Sequence, residues 1–184
     1  MKRIAIVMLL AAVPCLQAQD KPKVPEVQNV EVTIYLMSAV GQPVTTAMPP
    51  ELESVVKQLK GMFSYKGYEL IDTQLLRVRN GRGAEASGVV GAAVSGPYKI
   101  ISQVKFNAAD LSIDEKGRAI HIRGLKVGLK VPVPTGSGGA YNYLDTGINT
   151  DVDVREGQKI VVGKANMDGS DRASIVVLTA KVVD

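Results

Sequence analysis

Between Val30 and Val40 the chain alternates, with apolar Val30, Val32, Ile34 and Leu36 separated by Glu31, Thr33 and Tyr35. A period of two predicts a half-buried strand, one face on a core and the other toward water. After a polar loop from Gly41 to Pro49 the period changes. Leu52, Val55, Val56, Leu59, Met62 and Phe63 recur at helical spacing, which predicts an amphipathic helix of about four turns with Lys57, Gln58 and Lys60 outward. Pro50 suits its first turn, and Glu51 and Glu53 suit the positive end of its dipole. Tyr65-Lys66-Gly67 closes the helix, and Tyr68 to Val78 returns as a second strand.

The remaining pattern is strand-like: Tyr98 to Phe106, Ala119 to Val131, roughly Leu144 to Val154, Gln158 to Gly163, and Ser174 to Val183. Asn80-Gly81 is a turn signal, and hairpin signals are expected at Glu115-Lys116-Gly117, Glu156-Gly157 and Met167 to Ser170. Around Gly124 the apolar positions shift from even (Ile120, Ile122) to odd (Leu125, Val127, Leu129, Val131). A strand cannot change faces without an extra residue, so a bulge or sharp bend is expected at Gly124. The fold class expected is α+β and mainly β: one strand-helix-strand unit followed by a largely antiparallel, twisted sheet or sandwich, bent near Gly124.

Lys2 and Arg3 followed by the apolar run Ile4 to Leu16 form the charged and hydrophobic regions of a secretory signal. That run is shorter than the roughly 20 residues of a membrane helix. Cleavage is expected after Ala18, giving a signal peptide over 1–18, a Pro-rich linker over 19–28 and one α+β domain over 29–184. Its residues 29–80 hold the strand-helix-strand unit, and 81–184 are β-rich. A lipid-anchored alternative would start at Cys15, but Pro14 stands where a small residue is wanted. Removing the signal takes the basic residues from 22 to 20 against 18 acidic ones and lowers the net charge from +4 to +2. It also removes the single cysteine, so disulfides are excluded from the mature chain.

No residue is assigned a catalytic, cofactor-binding or metal-binding role. His121, the single histidine, lies beside Arg123 on the polar side of a strand and reads as an exposed strand histidine. Gly81 to Ala86 imitates a dinucleotide fingerprint, yet no helix pattern follows it. Asn166 to Asp171 has alternating oxygen ligands, but its glycine is misplaced for a calcium loop and no bidentate Glu follows. Asp151 and Asp153 share a strand face, as solvating acids beside a turn commonly do. The basic run His121, Arg123, Lys126 and Lys130 lacks interleaved aromatics, so nucleic acid is not expected as a partner.

In their order, several segments resemble the C-terminal domain of bacterial secretins, the outer-membrane gates of type II and type III secretion and of type IV pili. Asn29 to Val40 resembles the family's opening strand, Arg79 to Gly88 its glycine-containing turn, and Pro97-Tyr98 its "PY" step. Thr150 to Gly163 is similar to the "TxVxVxdGqtvvigG" segment, and Ser174 to Val183 to the final "LxIxLTPxIV" strand. Two departures stand out. Lys164 to Arg172 forms only a short turn where the family carries a gate-building segment, and Ala180 replaces a proline. No counterpart of the family's ring-forming amino-terminal repeats is evident either. The resemblance therefore implies a reduced secretin-like β-domain that does not form a gated channel alone.

Together these readings imply an exported, non-enzymatic component of the cell envelope, in the periplasm or at the periplasmic face of the outer membrane. Its expected partners are envelope proteins or copies of itself, with membrane contact only peripheral or through a partner. The candidate contact surfaces are the small-residue stretch Gly88 to Gly96 and a loop from Pro132 to Gly147 carrying Tyr141 and Tyr143. The alternative is a soluble periplasmic ligand- or partner-binding module, with an exported hydrolase as a third reading.

Overall fold

The first strand among the described residues is apolar on more of its surface than alternation requires, and the fold uses both of its faces. The computed structural model describes residues 28–90, 99–135, 141–167 and 171–183. The expected signal peptide and nearly all of the linker lie outside them. The elements are β1 (Asn29–Val40), α1 (Pro50–Met62), β2 (Gly67–Arg79), β3 (Arg82–Val90), β4 (Ile100–Asp114), β5 (Gly117–Pro134), β6 (Tyr141–Arg155), β7 (Lys159–Asn166) and β8 (Arg172–Val183). The strands form two four-stranded sheets, β2-β1-β8-β7 and β3-β4-β5-β6. Every pairing is antiparallel, so the mainly β, α+β expectation holds.

Val30, Val32, Ile34 and Leu36 of β1 join Val176 and Leu178 of β8 in the core between the sheets. The second sheet meets them with Val104 and Phe106 from β4 and Ile120, Ile122, Leu125 and Val127 from β5. On the opposite face Tyr35, Met37 and Ala39 of β1, with Ile175 and Val177 of β8, receive Leu52, Val55 and Leu59 from α1. The molecule thus has three layers: helix, first sheet, second sheet. Burying each such aliphatic side chain contributes about 1.5–3 kcal/mol before conformational entropy is subtracted.

This layering corrects the reading of β1 as half-buried. Its second face is covered by α1 toward the carboxyl end, and near the amino end the buried Glu31 is closed over by two cations. The helix itself follows its pattern, with Pro50 in the first turn, Glu51 and Glu53 near its amino end and Lys60 in the last turn. Val56 and Phe63 pack at the margin of its contact, whereas Met62 points out and is 67% exposed.

The glycine turns at Asn80-Gly81 and Glu156-Gly157 do not close hairpins within a sheet. Each carries the chain from one sheet to the other, β2 to β3 and β6 to β7. Gly81 (φ 79°) and Gly157 (φ 75°) adopt the left-handed backbone that such sharp corners need. Both corners are tied to both sheets. The Asn80 amide donates to Gln28 and the Gly81 amide to Ala109, while Asn80 Oδ1 accepts from the Leu111 amide at 2.8 Å. At the other corner the Glu156 amide donates to Arg118 and the Gly157 amide to Ala180, and Glu156 Oε1 accepts from the Val182 amide at 2.9 Å.

The expected irregularity at Gly124 is present. The β5–β6 register shifts between Ile122 and Leu125, and Gly124 has φ 62°. The Asp151 carboxylate accepts from the Gly124 amide at 2.6 Å, supplying a partner for a donor that the bulge removes from the ladder. Strand β3 was not anticipated in the small-residue stretch, because its Gly and Ala content gives little β signal; pairing with β4 makes it a strand.

Candidate interaction surfaces

Of the stretch proposed as a contact surface, Gly88 to Val90 belong to β3 and the remainder lies outside the described residues. The second stretch is corrected more fully. Among the described residues of Pro132 to Gly147, β5 runs to Pro134 and β6 begins at Tyr141, with Pro132 opposite Tyr143 and Val131 opposite Leu144, while residues 136–140 lie outside the described residues. Cross-strand pairing with the apolar end of β5 draws these residues into a ladder. Tyr141 and Tyr143 meet edge to face, with ring centroids 5.5 Å apart, and the Tyr143 hydroxyl donates to the Lys99 carbonyl at 3.3 Å. Val89, at the end of β3, is 63% exposed, and Leu144 is 48% exposed.

Among the described residues the second sheet has open margins. β3 pairs with β4 alone and β6 with β5 alone among the described residues. The β3–β4 irregularity is confined to Arg82–Ala84, so residues 84–90 run as a regular edge. Such an edge presents unpaired amides and carbonyls to any strand that approaches it.

On the outer face of this sheet the polar residues considered for chemistry are engaged with one another. His121 Nδ1 lies 2.6 Å from an Asp153 carboxylate oxygen, Arg123 donates to Asp110 at 2.8 Å, and Asp151 holds Gly124. Asp151 and Asp153 therefore have different tasks and do not act as a facing pair. At the end of the β4–β5 hairpin, Arg155 grips Asp114 through two hydrogen bonds of 2.6 and 2.7 Å, which hold that carboxyl below its ordinary range. Residues 82–90 continue from Gly81 as a strand, so no helix end faces these glycines. Residues 168–170 of the turn considered for calcium lie outside the described residues. Among the described residues no group of three or more His, Cys, Asp or Glu side chains is placed to hold a metal ion, and no helix is long and apolar enough to cross a membrane.

Between the layers lies a polar cluster that sequence reasoning missed. Ser102 of β4 donates to Asp72 of β2 at 2.7 Å, and the Gln74 amide donates to both, at 2.7 Å to Ser102 and 3.1 Å to Asp72. Gly88 of β3 leaves room for it, since a Cβ there would lie 3.2 Å from the Ser102 hydroxyl. An Asp and a Gln two residues apart within a strand give a faint signal of this kind, because both fall on the inward face.

No protein-family model matches the chain, and no curated protein matches it. Among solved structures it is similar to the type IV competence pilus secretin PilQ of V. cholerae, at 14% identity and TM-score 0.46, over 85% of this chain and 61% of that one. It is similar to the SPI-1 type III secretion injectisome secretin InvG of Salmonella, at 10% identity and TM-score 0.48, over 86% of this chain and 65% of that one. A third is the type II secretin GspD of enteropathogenic Escherichia coli, at 11% identity and TM-score 0.42, over 86% and 68%. The chain spans about three-fifths of the length of the first two.

Proposed function

We propose that the protein is an exported, non-enzymatic structural or assembly component of the bacterial cell envelope. It associates with copies of itself or with a larger secretion or pilus assembly and does not act as a gated channel alone. The observation that carries this reading is the second sheet, whose strands β3 and β6 each keep one margin unpaired among the described residues. Adding a strand at such a margin gains backbone hydrogen bonds without requiring a pocket. The secretin-like order of sequence motifs supports the same reading, and the amino-terminal signal supports a location in the periplasm or at the periplasmic face of the outer membrane. A structural role is favoured over an enzymatic one because His121 and the carboxylates near it are tied into cross-strand contacts.

Light scattering coupled to size exclusion, run over a range of protein concentrations, tests this. The expected result is concentration-dependent assembly that weakens when a charge is placed at either margin, as in Val89→Lys or Leu144→Lys. Both side chains are exposed, so the fold tolerates the change. A strictly monomeric protein at high concentration that also retains no envelope component in pull-downs would count against assembly and favour a soluble periplasmic binding module.

A further inference from the structure

Gly128 of β5 and Gly147 of β6 face each other in register, and the hollow above them has a volume of about 390 Å³. Val127 and Leu129 are buried, so Gly128 between them belongs to the outer face. The two glycines differ in what the fold asks of them. A Cβ on Gly147 would run into the Val127 carbonyl oxygen, so packing requires glycine there. A Cβ on Gly128 would meet nothing nearer than the Thr146 carbonyl oxygen at 4.0 Å, and its backbone is not left-handed. A glycine inside a strand weakens it, and where neither a bulge nor a tight bend accounts for it, it leaves room for a ligand or another backbone to approach closely.

The walls of the hollow carry two lysines, Lys126 and Lys130, and one carboxylate, Asp145. Lys126 and Lys130 stand two residues to either side of Gly128 on the same face, about 13 Å apart along the strand. Lys126 sits directly opposite Lys105, an arrangement of like charges that costs stability. Glu85 offsets Lys105 at 3.0 Å, whereas Lys126 has no carboxylate within ion-pair distance among the described residues. Lys130 reaches Asp145 only at 4.0 Å. Gln103 and Asn149 add amides that both donate and accept.

We propose that this hollow is a docking site for an acidic, extended peptide segment of a partner protein. In an extended chain, carboxylates four residues apart are also separated by about 13 Å, which matches Lys126 and Lys130. The bare Gly128 floor admits the peptide backbone between them. The walls have no aromatic ring on which a base could stack. The site lies on the sheet face and is independent of edge-to-edge assembly.

The test is fluorescence anisotropy with the purified protein and a labelled octapeptide of alternating glutamate and serine. Saturable binding that weakens with salt is expected, with no binding of the lysine-serine counterpart. Lys126→Gln and Lys130→Gln should each weaken it by about tenfold. Gly128→Val fills the floor with a strand-favouring side chain, so it should abolish binding while the melting temperature stays level or rises. The proposal is overturned if Gly128→Val binds like the wild type, if Lys57→Gln on α1 weakens binding equally, or if phosphatidylglycerol vesicles bind and the peptide does not.

Discussion

Glu31 on β1 and Lys181 on β8 stand opposite each other in register and form an ion pair of 2.8 Å. Arg77 of β2, in register on the other side, donates to the same carboxylate at 2.9 Å. Three adjacent strands are thereby joined at one point on the outer face of the helix-bearing sheet. Hydrogen bonds from Lys181 and then Arg77 hold the Glu31 carboxyl below its ordinary range, although burial acts in the opposite sense.

The sign of the pH effect follows from that. A carboxyl whose folded pKa is depressed contributes stability that is complete above its unfolded value, about 4.3, and is lost as pH falls through the folded value. Glu31→Gln should cost about 1–2 kcal/mol at pH 7 and less at pH 3, because the wild type has by then lost part of the same contribution. Urea titrations of both proteins at the two pH values measure this. Equal differences at pH 7 and pH 3 would remove Glu31 from the account of acid sensitivity.

The bulge at Gly124 gives a second prediction. Gly124→Ala places a Cβ against the Asn107 side-chain amide and strains a left-handed backbone, so a loss of about 1–3 kcal/mol is expected. Adding Asn107→Ala removes the clash but leaves the backbone strain, and should restore only part of the loss. Full restoration in the double variant would show that the φ angle contributes nothing.

Asp151 and Asp153 share a strand face but should respond differently to removal. Asp151→Ala leaves the Gly124 amide without its carboxylate and should cost about 1 kcal/mol. Asp153→Ala breaks only an exposed contact with His121 and should stay within about 0.5 kcal/mol. Thermal melts rank the two, and the reverse ranking would contradict the assignment.

Leu59 and Met62 lie one turn apart on α1 with opposite surroundings. Leu59→Ala opens a gap between helix and sheet and should cost about 2–5 kcal/mol, whereas Met62→Ala should change stability by less than about 0.5 kcal/mol. A large loss from Met62→Ala in chemical denaturation would mean that the helix face is misassigned.

Where the pattern of side chains decides the structure, the sequence was readable. The α1 face apart from Met62, the β5 alternation and the extra residue at Gly124 follow from periods of 3.6 and 2, and the structure reproduces them, whereas β1 keeps its alternation but is buried on both faces. What escaped depends on partners distant in the chain. β3 is made a strand by β4, and Tyr141 to Tyr143 by Pro134, Val133 and Pro132, pairings that the periodicity of either segment alone does not announce. The turns at Gly81 and Gly157 were recognised as turns, but which sheets they join is a property of the whole fold. The hollow at Gly128 was hidden for a simpler reason, since a glycine in an alternating strand signals only a weakness until its surroundings are known. The Asp72, Gln74 and Ser102 cluster brings together residues that only the layering makes neighbours.

The first sheet takes β1 and β2 from the beginning of the described chain and β7 and β8 from its end, with Asn29 opposite Val183. During synthesis this becomes a matter of timing. β1 can pair with β2 as soon as the helix has formed, but its other side stays open until the final strand has emerged. For that interval the most thoroughly apolar strand has a bare margin, and the cost of closing so long a loop slows its covering. Folding of this chain is therefore gated by its last dozen described residues, and shortening them should trap a sticky half-sheet instead of a slightly smaller protein.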